Sequence, residues 1–271
     1  MLGKQYNTGL VLSGGGARGF AHLGVLEALN EAGIYPDVLS GASAGALVGV
    51  LYSDGYTPRE ILKIMNATRL LHYMRPTVPR SGLLQISGIS KILDGNLKAR
   101  TFKDLKIPLF VSATDLNNAV PVYFSEGDLI ERVIASASIP VLFNPVVIDN
   151  VNYVDGGVLD NLPLRPIEGK CRFTIGSFVN PVGKEEMISG LMQIAERTFM
   201  VSMSKEIGDK SKKFDLFIAP PELSKYKILD PEKSSELFDI GYNATKSKLK
   251  EPEIRRLIND KLQPLNPLKG S

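Results

Sequence analysis

Residues 8–19 read TGLVLSGGGARG and residues 38–52 read VLSGASAGALVGVLY. Each is a short apolar run that breaks on glycine. Leu23, Leu26, Leu29 and Ala32 follow the first break at helical spacing, and residues 46–52 continue from the second in the same way. Two strand-turn-helix units so close together predict an α/β protein. Residues 107–114 (IPLFVSAT), 171–179 (CRFTIGSFV) and 214–219 (FDLFIA) have the β-branched and aromatic content of strands. Residues 20–32, 128–136 and 187–205 read as helices between them. This alternation predicts a mostly parallel central sheet with helices on both faces. Pro252 divides residues 232–262 into two helices. The expected organisation is one catalytic unit over residues 1–204, with residues 205–271 adding a strand and helices packed on the same body.

With 271 residues, 44% of them hydrophobic and 23% charged, the chain can bury a substantial core, which excludes disorder and a small cross-linked scaffold. Its 32 basic and 29 acidic residues form no electrostatic footprint for nucleic acid. The small excess belongs to residues 205–271, which hold 14 basic and 11 acidic residues. Cys171 has no disulfide partner, and with only His22 and His72 beside it no metal site is expected. The early sequence matches neither a signal peptide nor a membrane span. The expected address is the cytoplasm, with peripheral contact at the inner face of the membrane.

Gly14, Gly15, Gly16, Ala17, Arg18 and Gly19 match G-x-G-x-x-G between a strand and a helix. Such a loop presents backbone N–H groups at a helix N-terminus without obstructing side chains, and either a phosphate or a tetrahedral oxyanion suits it. Ser43, between Gly41 and Gly45, matches G-x-S-x-G, the turn that lifts a nucleophilic serine above a sheet. The same serine would also serve as an N-cap for the helix that follows. A serine nucleophile needs a base. Only His72 follows Ser43, in an apolar stretch before Pro76, and His22 sits one turn into a helix, so a Ser-His-Asp triad is not expected. The remaining base is a carboxylate in a glycine-flanked turn, and Asp155 with Gly156 and Gly157 supplies one, although Asp-Gly turns are also common punctuation.

Taken together and in this order, SGGGARG, GASAG and DGG closely resemble the patatin-like phospholipase family, and residues 135–140 (ASASIP) resemble a further block of its bacterial members. The resemblance runs across roughly residues 8–180. It implies a three-layer α/β/α fold and hydrolysis of lipid or phospholipid carboxylic esters by a Ser-Asp dyad through an acyl-enzyme, without a cofactor. On the matching positions it implies Ser43 as nucleophile, Asp155 as base and residues 14–19 as the oxyanion hole. Plant members have Asp where this chain has Ser13, which leaves the glycines intact. A free aspartate has a pKa of about 3.9, a poor match to a serine hydroxyl, so proton transfer must be concerted with attack. Arg18 would orient the loop, anchor the helix through a salt bridge or meet a phosphate head group.

Two other classes compete. A Rossmann-type oxidoreductase would bind a nucleotide through Gly14, Gly16 and Gly19, with Asp37 on the ribose, and a non-catalytic scaffold would bind a partner through the basic C-terminal helices. Residues 69–84 interleave Arg69, Arg75 and Arg80 with apolar side chains and two prolines. That mixture suits an interfacial cap or an ordinary connection.

Overall fold

The computed structural model describes residues 5–67, 87–140, 142–185, 187–204, 207–228 and 231–262. Eight strands among these residues form one sheet: β1 (Tyr6–Leu12), β2 (Val38–Ala42), β3 (Leu109–Asp115), β4 (Val120–Phe124), β5 (Val146–Ile148), β6 (Val151–Asp155), β7 (Cys171–Ser177) and β8 (Leu216–Ile218). The helices around it are α1 (Phe20–Glu31), α2 (Ala44–Ser53), α3 (Pro58–Ala67), α4 (Ser87–Asn96), α5 (Leu129–Ser136), α6 (Leu191–Ser204), α7 (Ile207–Ser211), α8 (Ser234–Lys250) and α9 (Pro252–Leu262). The interfacial cap considered for residues 69–84, and His72 within it, lie outside the described residues.

The strand order is β5-β6-β3-β2-β1-β7-β8, with β4 also paired to β3. The run β3-β2-β1-β7-β8 is parallel throughout, as the alternation of strands and helices predicts. The sheet is nevertheless mixed, because β4, β5 and β6 pair antiparallel. Short connections account for the β3–β4 and β5–β6 pairings. Asp149 and Asn150 both take positive φ, 50° and 65°, and join Ile148 to Val151 in a two-residue turn of the kind that closes a twisted hairpin.

One feature of this mixed end sets up the site. Val111 of β3 pairs with Gly41 of β2 and with Phe124 of β4, while Ala113 pairs with Asp155 of β6 and with Val122 of β4. Since β4 occupies one edge, β2 and β6 must share the other. They run toward each other along it, and β2 ends at Ala42 opposite Ser112, one position before Asp155 opposite Ala113. Ser43 and Asp155 therefore meet where two opposed strands abut.

Side chains alternate across the sheet. Leu10, Leu12, Leu39, Leu109, Val111, Phe173, Ile175, Leu216 and Ile218 belong to the main core, under α1, α2, α5 and α8. Val11, Val38, Phe110 and Phe217 point to a smaller core filled by Leu162, Leu164 and Ile167 from the β6–β7 connection and by Ile207 of α7. The C-terminal segment is built into this body. Its β8 extends the parallel run, and α8 crosses α1 at glycine on each helix: a Cβ on Gly24 would stand 1.9 Å from the Phe238 carbonyl oxygen, and one on Gly241 2.0 Å from that of Ala21.

Candidate active site

Ser43 holds φ 51° and ψ −120° between β2 and α2. A non-glycine residue adopts such a backbone at a cost of about 1–3 kcal/mol, which the surrounding packing must sustain. Here the chain reverses from strand to helix within one residue, and only glycine fits two positions to either side. A Cβ on Gly41 would lie 2.6 Å from the Gly45 carbonyl oxygen, and one on Gly45 would lie 2.4 Å from that of Leu12. The Ser43 N–H donates to Ser136 Oγ at 2.9 Å, and the Ser136 hydroxyl donates to the Ser112 carbonyl at 2.6 Å. The Ser43 side chain makes no capping hydrogen bond to α2.

Asp155 is fully buried. Its Oδ1 accepts the Gly157 N–H at 2.7 Å, and its own N–H donates to the Ser138 carbonyl at 2.9 Å. Residues 135–140 thus hold both members of the pair, Ser43 through Ser136 and Asp155 through Ser138. Burial pushes the Asp155 carboxyl up to about 7, against the opposing pull of the Ser43 hydroxyl and the Gly157 N–H. Oδ2 of Asp155 is buried with no hydrogen-bond partner among the described residues. One carboxylate oxygen is fixed and the other is free. The concern raised by a free aspartate's acidity is thereby reduced, since a pKa of about 7 is matched to proton transfer at neutral pH.

The six loop residues are not equivalent. The Gly14 N–H is held by Asn161, through the side-chain Oδ1 at 3.0 Å and the carbonyl at 3.2 Å. Ala17 N–H donates to the Ile228 carbonyl at 2.7 Å and Arg18 N–H to that of Gly15 at 3.1 Å. Among the described residues, the N–H groups of Gly15 and Gly16 have no acceptor. Gly16 takes φ 54°, and a Cβ there would stand 2.2 Å from the Ile228 carbonyl oxygen.

Asn180 completes the clamp by donating its Nδ2 to the Gly14 carbonyl at 2.8 Å. That carbonyl shares a trans peptide with the Gly15 N–H, so holding the one toward Asn180 aims the other away from it. Among the described residues, Nδ2 of Asn161 and Oδ1 of Asn180 are buried without partners. A Cβ on Gly157 would lie 3.0 Å from Asp155 Oδ1 and 3.1 Å from Asn161 Oδ1, and one on Gly15 would lie 3.0 Å from Asn180 Oδ1. Neither asparagine carries a local sequence signal for this role.

His22 is buried beneath the loop. Its Nε2 donates to the Ser13 carbonyl at 2.8 Å, and the Ser177 hydroxyl lies 2.8 Å from Nδ1, which fits a neutral ring. Burial lowers its pKa to about 4. Arg18 is also buried, and it donates to the carbonyls of Tyr226 (2.8 Å), Pro181 (3.3 Å) and Ser224 (3.5 Å). Of the roles considered for it, loop anchoring is the one its contacts serve; among the described residues it forms no ion pair within 4 Å. Asp37 binds the N–H groups of Asn7 and Thr8 at the start of β1, about 20 Å of extended chain from the glycine loop. It cannot meet the ribose of a nucleotide bound there, which removes the acid the Rossmann reading requires.

Beside the Gly156–Val158 turn lies an apolar cavity of about 400 Å³, lined among others by Ile139, Pro140, Leu142, Val158, Phe199 and Ile228. The cavity therefore touches the turn that carries Asp155 and the residue whose carbonyl holds the glycine loop.

The family model for patatin-like phospholipase matches residues 10–167. An uncharacterised NTE family protein of Mycobacterium tuberculosis is 34% identical over 162 residues, which cover 59% of this chain and 45% of that protein. Patatin-like phospholipase domain-containing protein 6 of Homo sapiens is 28% identical over 276 residues, covering 88% of this chain and 20% of that one. Lysophospholipase NTE1 of Kluyveromyces lactis is 27% identical, covering 86% and 18%. The chain thus spans less than half the length of these relatives. Among solved structures, VipD from Legionella pneumophila shares the fold with a TM-score of 0.54 at 16% identity, covering 90% of this chain and 67% of that one. The family model alone accounts for more than half of the sequence, and the chain belongs to the patatin-like phospholipase family.

Proposed function

We propose that the chain is a serine acyl hydrolase that cleaves carboxylic esters of lipids, with Ser43 as nucleophile and Asp155 as its base. The observation that carries this reading is the meeting of a strained serine with a buried carboxylate whose Oδ2 has no other partner. In the first half-reaction the Ser43 hydroxyl proton passes to Asp155 Oδ2 as Oγ bonds to the ester carbonyl carbon. The oxyanion is taken up by the N–H groups of Gly15 and Gly16, a narrower oxyanion hole than the whole of residues 14–19, because Gly14, Ala17 and Arg18 already donate elsewhere. Collapse breaks the ester C–O bond, and the leaving alkoxide takes the proton from Asp155. Water then attacks the acyl-enzyme, giving its proton to Asp155 and releasing a carboxylic acid while Ser43 recovers its hydrogen. Asp155 acts as base and acid in turn, held in place by Gly157 and Ser138. The apolar cavity beside Val158 suits the acyl chain of the substrate.

Hydrolysis of a chromogenic short-chain ester tests the pair as a unit. Ser43→Ala and Asp155→Asn should each lower kcat/KM by several orders of magnitude, and the double variant should be little worse than either, because members of one catalytic unit are strongly non-additive. Near-normal activity in Asp155→Asn would refute the dyad.

A further inference from the structure

No helix among the described residues is long and apolar enough to cross a membrane. The outward side of α6 is unusual. Leu191, Ile194 and Val201 lie along one line of the helix with Thr198 between them, and they are 82%, 51% and 49% exposed. Met187, 87% exposed, extends this crest beyond the start of the helix. Single exposed aliphatic residues are ordinary, but a contiguous row of them marks an interaction surface.

The two flanks of α6 say what it meets. On one side Ala195, Thr198, Phe199 and Ser202 form a wall of the apolar cavity that reaches the Asp155 turn. On the other, Arg197, paired with Glu185 at 3.8 Å, lines a recess with Arg18, Lys225, Lys227 and Glu196, which also borders the cavity; four cations there face two carboxylates. Lys225 and Lys227 are exposed at its rim. An aliphatic crest set between a cationic recess and a greasy cavity is complementary to an anionic lipid surface, with phosphates against the lysines and aliphatic side chains among the acyl chains. We propose that α6 docks the protein on an anionic lipid surface and that a substrate chain passes over its crest into the cavity. The first part stands on the exposed crest and the charge beside it; the second rests on the hydrolase reading above.

The test is flotation of the full chain with vesicles of phosphatidylcholine alone and of phosphatidylcholine mixed with phosphatidylglycerol, for wild type, Leu191→Glu with Ile194→Glu, and Lys225→Glu with Lys227→Glu. Wild type should bind the anionic vesicles in a salt-sensitive way, and the leucine–isoleucine variant should bind roughly tenfold or more weakly while hydrolysing a soluble short-chain ester at the wild-type rate. The lysine variant should lose its preference for the anionic vesicles. Should the glutamates disturb the fold, Leu191→Ser with Ile194→Ser is read in the same way. Undiminished vesicle binding in these crest variants, or no vesicle binding by wild type, would overturn the proposal. A crest variant that changes the oligomeric state but still floats would assign the surface to a second copy of the chain and overturn it equally. Flotation does not depend on turnover, so loss of binding in the variants of a protein that hydrolyses no ester would refute the hydrolase reading and leave the docking surface standing.

Discussion

Asp155 has a folded-state pKa of about 7 because it is buried, and this has two consequences of opposite kind. For catalysis, only the ionised carboxylate accepts a proton, so kcat on a soluble ester should rise with pH through about 7 and level off above it. A rate already level at pH 5 would contradict this. For stability, the native state holds the proton more tightly than the unfolded chain does. The stabilisation is therefore fully present below the ordinary value of 3.8 and is lost as pH rises through 7. Asp155→Asn has nothing to ionise, so its advantage in urea midpoint over wild type should be larger at pH 8 than at pH 4, and an equal difference at both would contradict the assignment. Ser43 and Asp155 are legible as a candidate pair because each sits in a short local signature that the proposed chemistry demands. Asn161 and Asn180 are not, because their bonds to Gly14 span 147 and 166 positions and leave no periodicity to read.

The elements that carry apolar runs into glycine turns, β1 with α1 and β2 with α2, were readable within a few residues of their ends. Pro252 likewise falls at the start of α9, where its fixed φ and missing N–H are harmless. The strands β4, β5 and β6 were not read as such, since they are short and half exposed and their runs look like loop. One usable signal was present, the Asp149-Asn150 pair between two β-branched runs. Glycines inside helices tell a similar story. Gly24 and Gly95 both weaken a helix by propensity, but only Gly24 lies against a neighbouring backbone, 1.9 Å from where its Cβ would be. Gly24→Ala should lower stability by about 1–3 kcal/mol through forced separation of α1 and α8. Gly95→Ala meets nothing within 4 Å and should raise it by about 0.5–1 kcal/mol. Thermal midpoints that moved in the same direction for both would show that the α1–α8 approach does not constrain the fold.

Taken whole, the molecule uses its sheet to bring two motifs that are distant in the chain to one point, with β2 and β6 abutting on the same edge of β3. Two parts of the sequence then lock the glycine loop above that point, the β6–β7 connection through Asn161 and the C-terminal segment through Ile228, Ser224 and Tyr226. His22 joins the same region from below, and its neutrality carries an acid liability. Its folded-state pKa of about 4 lies below the ordinary 6.5, so the stability it contributes is fully present above 6.5 and is lost as pH falls toward 4. Urea midpoints should accordingly respond less to acidification in His22→Gln than in wild type, whatever the cost of the substitution itself; an identical pH response would remove His22 from the acid lability. The proposed dyad is open to a covalent reading by intact-mass spectrometry after reaction with a fluorophosphonate. Wild type should gain a single adduct, at a rate that increases through pH 7, Asp155→Asn should react at least about 10²-fold more slowly, and Ser43→Ala should gain none. Labelling that survives in Ser43→Ala, or that proceeds at the wild-type rate in Asp155→Asn, would contradict a serine activated by that aspartate.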